Sequence, residues 1–147
     1  MSSTVQSQYS LRAPAWFLAA GVGGIAWNIY GVVQFARAIV ATEETLVASG
    51  LTAHQAAVLI GYPGWMTLAF ALGVFGGLAG SVLLLFRLSV ARPVLAVSLA
   101  AYIALWLGDA FHGVFAAMGL PQVIILTFVV AVASVLFALS RHPAARA

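Results

Sequence analysis

Four stretches of this chain, at roughly residues 14–40, 64–87, 93–117 and 121–140, stay apolar for the length of a bilayer-crossing helix, which is about 20 residues. Inside a membrane the backbone has no water to bond with, so each stretch is confined to a helix that satisfies its own N–H and C=O groups. Pro14, Pro93 and Pro121 fall at the openings of the first, third and fourth stretches, where a missing N–H would have had no partner anyway. These signals predict an all-α membrane protein, with residues 1–147 forming a single transmembrane four-helix bundle and no separate soluble domain. The first stretch is too long for a secretion-signal core and is preceded only by Arg12, so it is expected to be retained, and the cleavage-like Ala36-Arg37-Ala38 is accidental.

Charge narrows the function classes. Only 6% of residues are charged and 64% are hydrophobic, against about 45–50% apolar content in a soluble domain. The sequence pI near 10.0 comes from six arginines set against three acids. There is no lysine and no basic run, which argues against a nucleic-acid partner. Cysteine is absent, which removes disulfides, thiolate metal sites, cysteine nucleophiles and covalent haem attachment. Arg12, Arg87, Arg92, Arg141 and Arg146 fall on one side of a four-helix threading and Arg37 on the other. Positive loops stay inside, so both termini are expected in the cytoplasm. The imbalance argues against insertion in two orientations, and copies in any homo-oligomer would lie parallel.

The far-side connection, about residues 42–63, has local structure of its own. Thr52-Ala53-His54-Gln55 reads as a capping box, predicting a short helix over about 53–60 that ends at Gly61 and Pro63. Its apolar surface is expected at the bundle mouth or in the membrane interface, and Trp65, Trp16, Tyr9 and Tyr62 are placed for an aromatic belt. Glu43 and Glu44 are read as solvated loop acids.

Small residues mark the packing faces. Gly73, Gly76, Gly77 and Gly80 form two overlapping small-xxx-small pairs, extended by Ala69 and Ser81. Such a face lets helix backbones approach closely in lipid, either inside the bundle or against another subunit; close approach to a ligand or pigment is the alternative. Gly21, Gly24, Asn28 and Gly31 cluster likewise on the first helix. There Asn28 is read as a hydrogen-bonding tie between helices, with a ligand role as the alternative.

Asp109 and His112 are the strongest functional lead, because ionisable groups inside a spanning stretch usually face protein, water or a partner. Ser98, Tyr102, Trp106, Asp109 and His112 follow at spacings of four, four, three and three, which places them on one helix side, expected to face inward. At 1.5 Å per residue Asp109 lies about 25 Å from Arg92, near the non-cytoplasmic surface. Arg37 reaches the same level, with Gln34 one turn deeper, so an Asp109–Arg37 ion pair is the leading structural expectation. The functional alternatives are a proton-linked role for Asp109 and His112, a divalent-ion site drawing on His54, His112 and the acids, and axial haem ligation by His54 and His112. No recurrent ligand spacing supports a metal, and the identity of any cofactor is left open.

Enzyme signatures are missing: there is no Gly-rich phosphate loop, G-x-S-x-G, HExxH or Asp-rich diphosphate site. Asp109 and His112 lack a nearby nucleophile, so the chain reads as non-catalytic. Trp27-Asn28 with Gly31, Pro63 with Trp65, Ala69-Phe70-Ala71, Phe75-Gly76-Gly77 with Gly80, Leu83-Leu84-Leu85 before Arg87, and Pro93 with Ser98 resemble a group of small bacterial inner-membrane proteins. Members of that group have four spanning helices, are about this long, carry no established activity and are often automatically labelled "sugar transporter". The resemblance covers roughly residues 16–100 and implies the bundle and a bacterial inner membrane; Asp109 and His112 lie outside it.

Two function classes follow. One is an accessory or assembly subunit that docks by its glycine faces on a larger respiratory or photosynthetic membrane complex. The other is a small-solute or proton-linked transporter acting as a homo-oligomer. Transporters place their key polar site near the bilayer midplane, whereas Asp109 is expected near one surface, which favours the subunit.

Overall fold

The computed structural model describes residues 12–146, so Tyr9 lies outside the described residues. Among these the chain is helical, with no strand. Four helices are long and apolar enough to cross a membrane: α1 (Ala15–Val40), α4 (Gly64–Leu85), α5 (Ala91–Phe111) and α7 (Leu120–Arg141). Between them lie α2 (Glu43–Ala48), α3 (Ala53–Ile60) and α6 (Val114–Met118), and a 3₁₀ turn at Pro143–Ala145 follows α7.

The short helices are set by local chemistry. Thr52 caps α3 as expected: its hydroxyl accepts from the Gln55 N–H at 3.2 Å, and Gln55 Oε1 accepts from the Thr52 N–H at 3.0 Å. A second box, Thr42 with Thr45, caps α2, an element the sequence reading treated as loop. Glu43 and Glu44 occupy its first turn, where the helix dipole favours negative charge.

The third span ends six residues before the expected 117. Gly113 adopts φ 76°, a left-handed conformation that glycine takes without the penalty a Cβ would impose. It ends α5 at Phe111 and re-aims the chain into α6; His112 therefore caps the helix rather than lying within it. At the opposite end of the bundle α4 closes through Arg87, the only non-glycine residue with positive φ among those described. The Leu88 N–H donates to the Leu83 carbonyl at 3.0 Å, the six-to-one bond of a left-handed helix cap. The Arg87 side chain donates to the carbonyls of Ala144 and Arg146, holding the 3₁₀ turn beneath the α4–α5 corner.

The spans stand in the order α1, α4, α5, α7, with the most extensive packing between α4 and α5. Over their most apolar 18 residues, α4 and α5 each bury 39%, against 22% for α1 and 17% for α7. The inner pair therefore forms the spine, and the outer helices leave most of their surface to the surroundings. α1 and α7 hardly meet; Trp27 lies edge-on to Phe128 across the gap, with ring centroids 5.3 Å apart.

Two apolar cores lie along the bundle. One gathers Met66, Tyr102, Leu105, Val114 and Leu126; the other gathers Phe17, Leu84, Leu95, Leu136 and Ala145. Between them runs a thin buried polar layer of Asn28, Ser81 and Ser98. Asn28 Nδ2 donates to the Gly24 carbonyl at 2.8 Å and reaches Ser81 Oγ at 3.5 Å, while Ser98 Oγ donates to the Gly73 carbonyl at 2.7 Å. These bonds satisfy groups that would otherwise cost about 1–3 kcal/mol each when buried, and they bind α1 and α5 to α4.

Candidate functional site

The α4 glycines make room for neighbours within the same chain. A Cβ on Gly73 would come within 2.6 Å of the Tyr102 ring, and one on Gly80 within 2.5 Å of Leu95; at Gly76 it would meet Ser98 at 3.2 Å. At Gly77 it would fall on the Asn28 side chain. On α1, Gly24 abuts Ser81 and Leu136, and Gly31 abuts Val74. Of the two expected uses of these faces, packing inside the bundle is the one seen: α4 closes on α1 and α5 through them. Gly23 is different, since a Cβ there would meet nothing within 4 Å.

Asp109 lies in the last turn of α5 and is fully buried. Its Oδ1 accepts from the Tyr62 hydroxyl and its Oδ2 from Gln122 Nε2 at 3.0 Å. Tyr62 belongs to the link between α3 and α4, and Gln122 to the first turn of α7, so one carboxylate fastens three parts of the chain at this end of the bundle. Gly108, one residue earlier, lets α5 close against Trp65 and Met66 at the start of α4. Tyr62 titrates well above an ordinary phenol, first because it is buried, then because its hydroxyl bonds to Asp109 and a phenolate would face that carboxylate. It remains a donor at neutral pH, as the Asp109 contact requires.

The expected ion pair with Arg37 is not what satisfies Asp109. Arg37 is exposed in the last turn of α1, and its guanidinium donates to Gln34 Oε1 at 3.5 Å. A tyrosine hydroxyl and a carboxamide already occupy the buried carboxylate, at a desolvation cost lower than bringing in a second charge. His112 is also separate: it is exposed and packs on Trp65, ring centroids 5.9 Å apart. His54 is exposed on α3. Among the described residues no three His, Asp or Glu side chains gather as metal ligands would. Of the inward stripe, Ser98, Tyr102 and Asp109 are buried; Trp106 is half-buried and donates to Thr127 Oγ1 at 3.0 Å.

The polar residues singled out from sequence thus divide into three places. Asn28 belongs to the mid-bundle layer, Asp109 to the tie at one end, and Gln34 with Arg37 to the rim of a cleft beside that tie. Sequence reasoning missed Tyr62 and Gln122 as the partners of Asp109. The available signal for Gln122 was an amide directly after Pro121 at the head of an apolar run; Tyr62 looked like an ordinary belt aromatic. Gln55 was also under-read, because besides capping α3 its Nε2 donates to the Ala117 carbonyl at 3.1 Å and pins α3 to α6. No known protein family, curated protein or solved structure matches the chain.

Proposed function

We propose that this chain is a non-catalytic, multi-pass protein of the bacterial inner membrane, with both termini cytoplasmic. Its role is that of an accessory or assembly subunit of a larger respiratory or photosynthetic complex. The observation that carries this reading is the open seam between α1 and α7. A groove of about 300 Å³ runs along it, lined by the small Ala20, Gly23 and Ala131 and by the larger Phe128, Leu136 and Leu139; the small residues give another helix a place to approach closely. The bundle interior supports the same reading: the space lined by Asn28, Ser98 and Tyr102 has no room for a water molecule. The resemblance over residues 16–100 supports the bacterial inner membrane, and the arginine distribution supports the orientation.

The test is gentle detergent extraction from native membranes, native-size separation and mass spectrometry of what co-migrates, for wild type and Gly23→Leu. Wild type is expected in a larger assembly of defined composition, and Gly23→Leu is expected to fold and leave it. A variant that stays fully assembled would count against the seam. A second reading, a small-solute or proton-linked transporter, rests on the same seam, since a parallel second copy could close it and create a path between subunits. A lone small oligomer in the separation would favour that reading.

A further inference from the structure

Beside the Asp109 tie, the last turns of α1, the α2–α3 pair and the start of α4 enclose a cleft of about 520 Å³, within the usual size of small-molecule sites, about 300–1,000 Å³. Its polar lining includes Arg37, Gln34 and Thr67, and its apolar wall includes Phe35, Phe70 and Leu59. The Phe35 and Phe70 rings meet edge to face at 5.3 Å, so that wall is a packed surface. Among the described residues no carboxylate pairs with Arg37, and the Thr67 hydroxyl has no hydrogen-bond partner.

We propose that this cleft binds an anionic phospholipid, its phosphate on Arg37, Gln34 and Thr67 and part of an acyl chain along Phe35, Phe70 and Leu59. Arg37 stands three residues before the end of a membrane-crossing helix, the level at which lipid head groups lie. Its planar fork matches phosphate oxygens two at a time. Phe35 and Phe70 carry the same cleft toward hydrocarbon depth. A zwitterionic lipid brings the same phosphate but sets its cationic choline beside the guanidinium, whereas an anionic lipid brings no second cation; a free inorganic anion would leave the apolar wall uncovered. The inference is independent of the accessory-subunit reading.

The test uses the full-length protein in detergent, with phosphatidylglycerol, phosphatidylcholine of the same acyl chains, and inorganic phosphate as probes. Retention in native mass spectrometry and the shift in unfolding temperature are read together. Phosphatidylglycerol is expected to be retained about tenfold better than phosphatidylcholine, the scale of the repulsion between the choline cation and Arg37 in a partly solvated cleft. Arg37→Gln should remove that preference, and Arg141→Gln, an exposed arginine at the other end, should preserve it. Ala38→Trp keeps Arg37 but fills the cleft from an exposed position, so it should also abolish retention; it serves as the deciding variant if Arg37→Gln does not fold. Equal retention of the two lipids, retention unaffected by Arg37→Gln or Ala38→Trp, or stabilisation by inorganic phosphate equal to that by phosphatidylglycerol would each overturn the proposal.

Discussion

Three replacements around Asp109 separate a carboxylate kept for its hydrogen bonds from one kept for its charge. Asp109→Leu leaves the Tyr62 hydroxyl and the Gln122 amide facing a side chain that cannot accept. At about 1–3 kcal/mol for each stranded group, the loss should be about 2–6 kcal/mol. Tyr62→Phe removes one of the two donors to the buried carboxyl group and should cost about 1–3 kcal/mol. Asp109→Asn is gentler. Its amide oxygen can take the Tyr62 proton, and Gln122 can turn its own amide to present Oε1, so two bonds persist in weaker form. The net change should stay within about 1 kcal/mol. Unfolding of the detergent-solubilised variants should therefore rank Asn above Phe and Phe above Leu. A double-mutant cycle sharpens the test: with Asp109→Leu in place, adding Tyr62→Phe should recover about 1–3 kcal/mol, because it removes the hydroxyl that the leucine left stranded. Asp109→Asn as damaging as Asp109→Leu, or full additivity in the cycle, would refute the structural tie and point to a requirement for the charge itself.

Two further comparisons probe the bundle. Gly77→Ala drives a Cβ into Asn28, which is only 2% exposed between α1 and α4, and should destabilise by about 1–3 kcal/mol. Gly23→Ala meets open space and should be neutral or stabilising by up to about 1 kcal/mol; unfolding curves that shift equally would contradict the internal role of the α4 glycines. At the α4–α5 corner, Arg87→Ala and Arg87→Gly both lose the bonds to Ala144 and Arg146, but glycine also relieves the left-handed backbone. The glycine variant should be the more stable by about 1 kcal/mol, and equal stabilities would show that the positive φ carries no cost there.

The spans were legible because membrane burial imposes length and apolarity on every residue of a segment, a signal that survives without knowing what packs on what. The starts at Ala15, Gly64, Ala91 and Leu120 fall within two residues of expectation. The end of α5 was not legible in the same way: residues 113–117 are as apolar as a helix interior, and what stops the helix is the backbone choice of one glycine. Gly113 could have been weighed as a helix terminator, but inside an apolar run it reads equally well as a tolerated small residue. The Thr52 box was found because a glutamine stands three residues on; the Thr42 box uses threonine in the glutamine's place, and its reciprocal bonds emerge only from the geometry.

The site shows a different limit. Helical spacing places residues of one helix on a common face, and it correctly set Ser98, Tyr102 and Asp109 inward. It carries no information about which neighbouring helix supplies the partner, and the choice of Arg37 for Asp109 came from charge and depth alone. A buried carboxylate needs donors more than it needs a cation, and Tyr62 and Gln122 deliver two without desolvating a second charge. Among the described residues, that choice leaves Arg37 at the rim with a long bond to Gln34, facing an apolar-walled cleft. The residue that sequence reasoning assigned to hold the bundle together is thereby the one left available to hold something else.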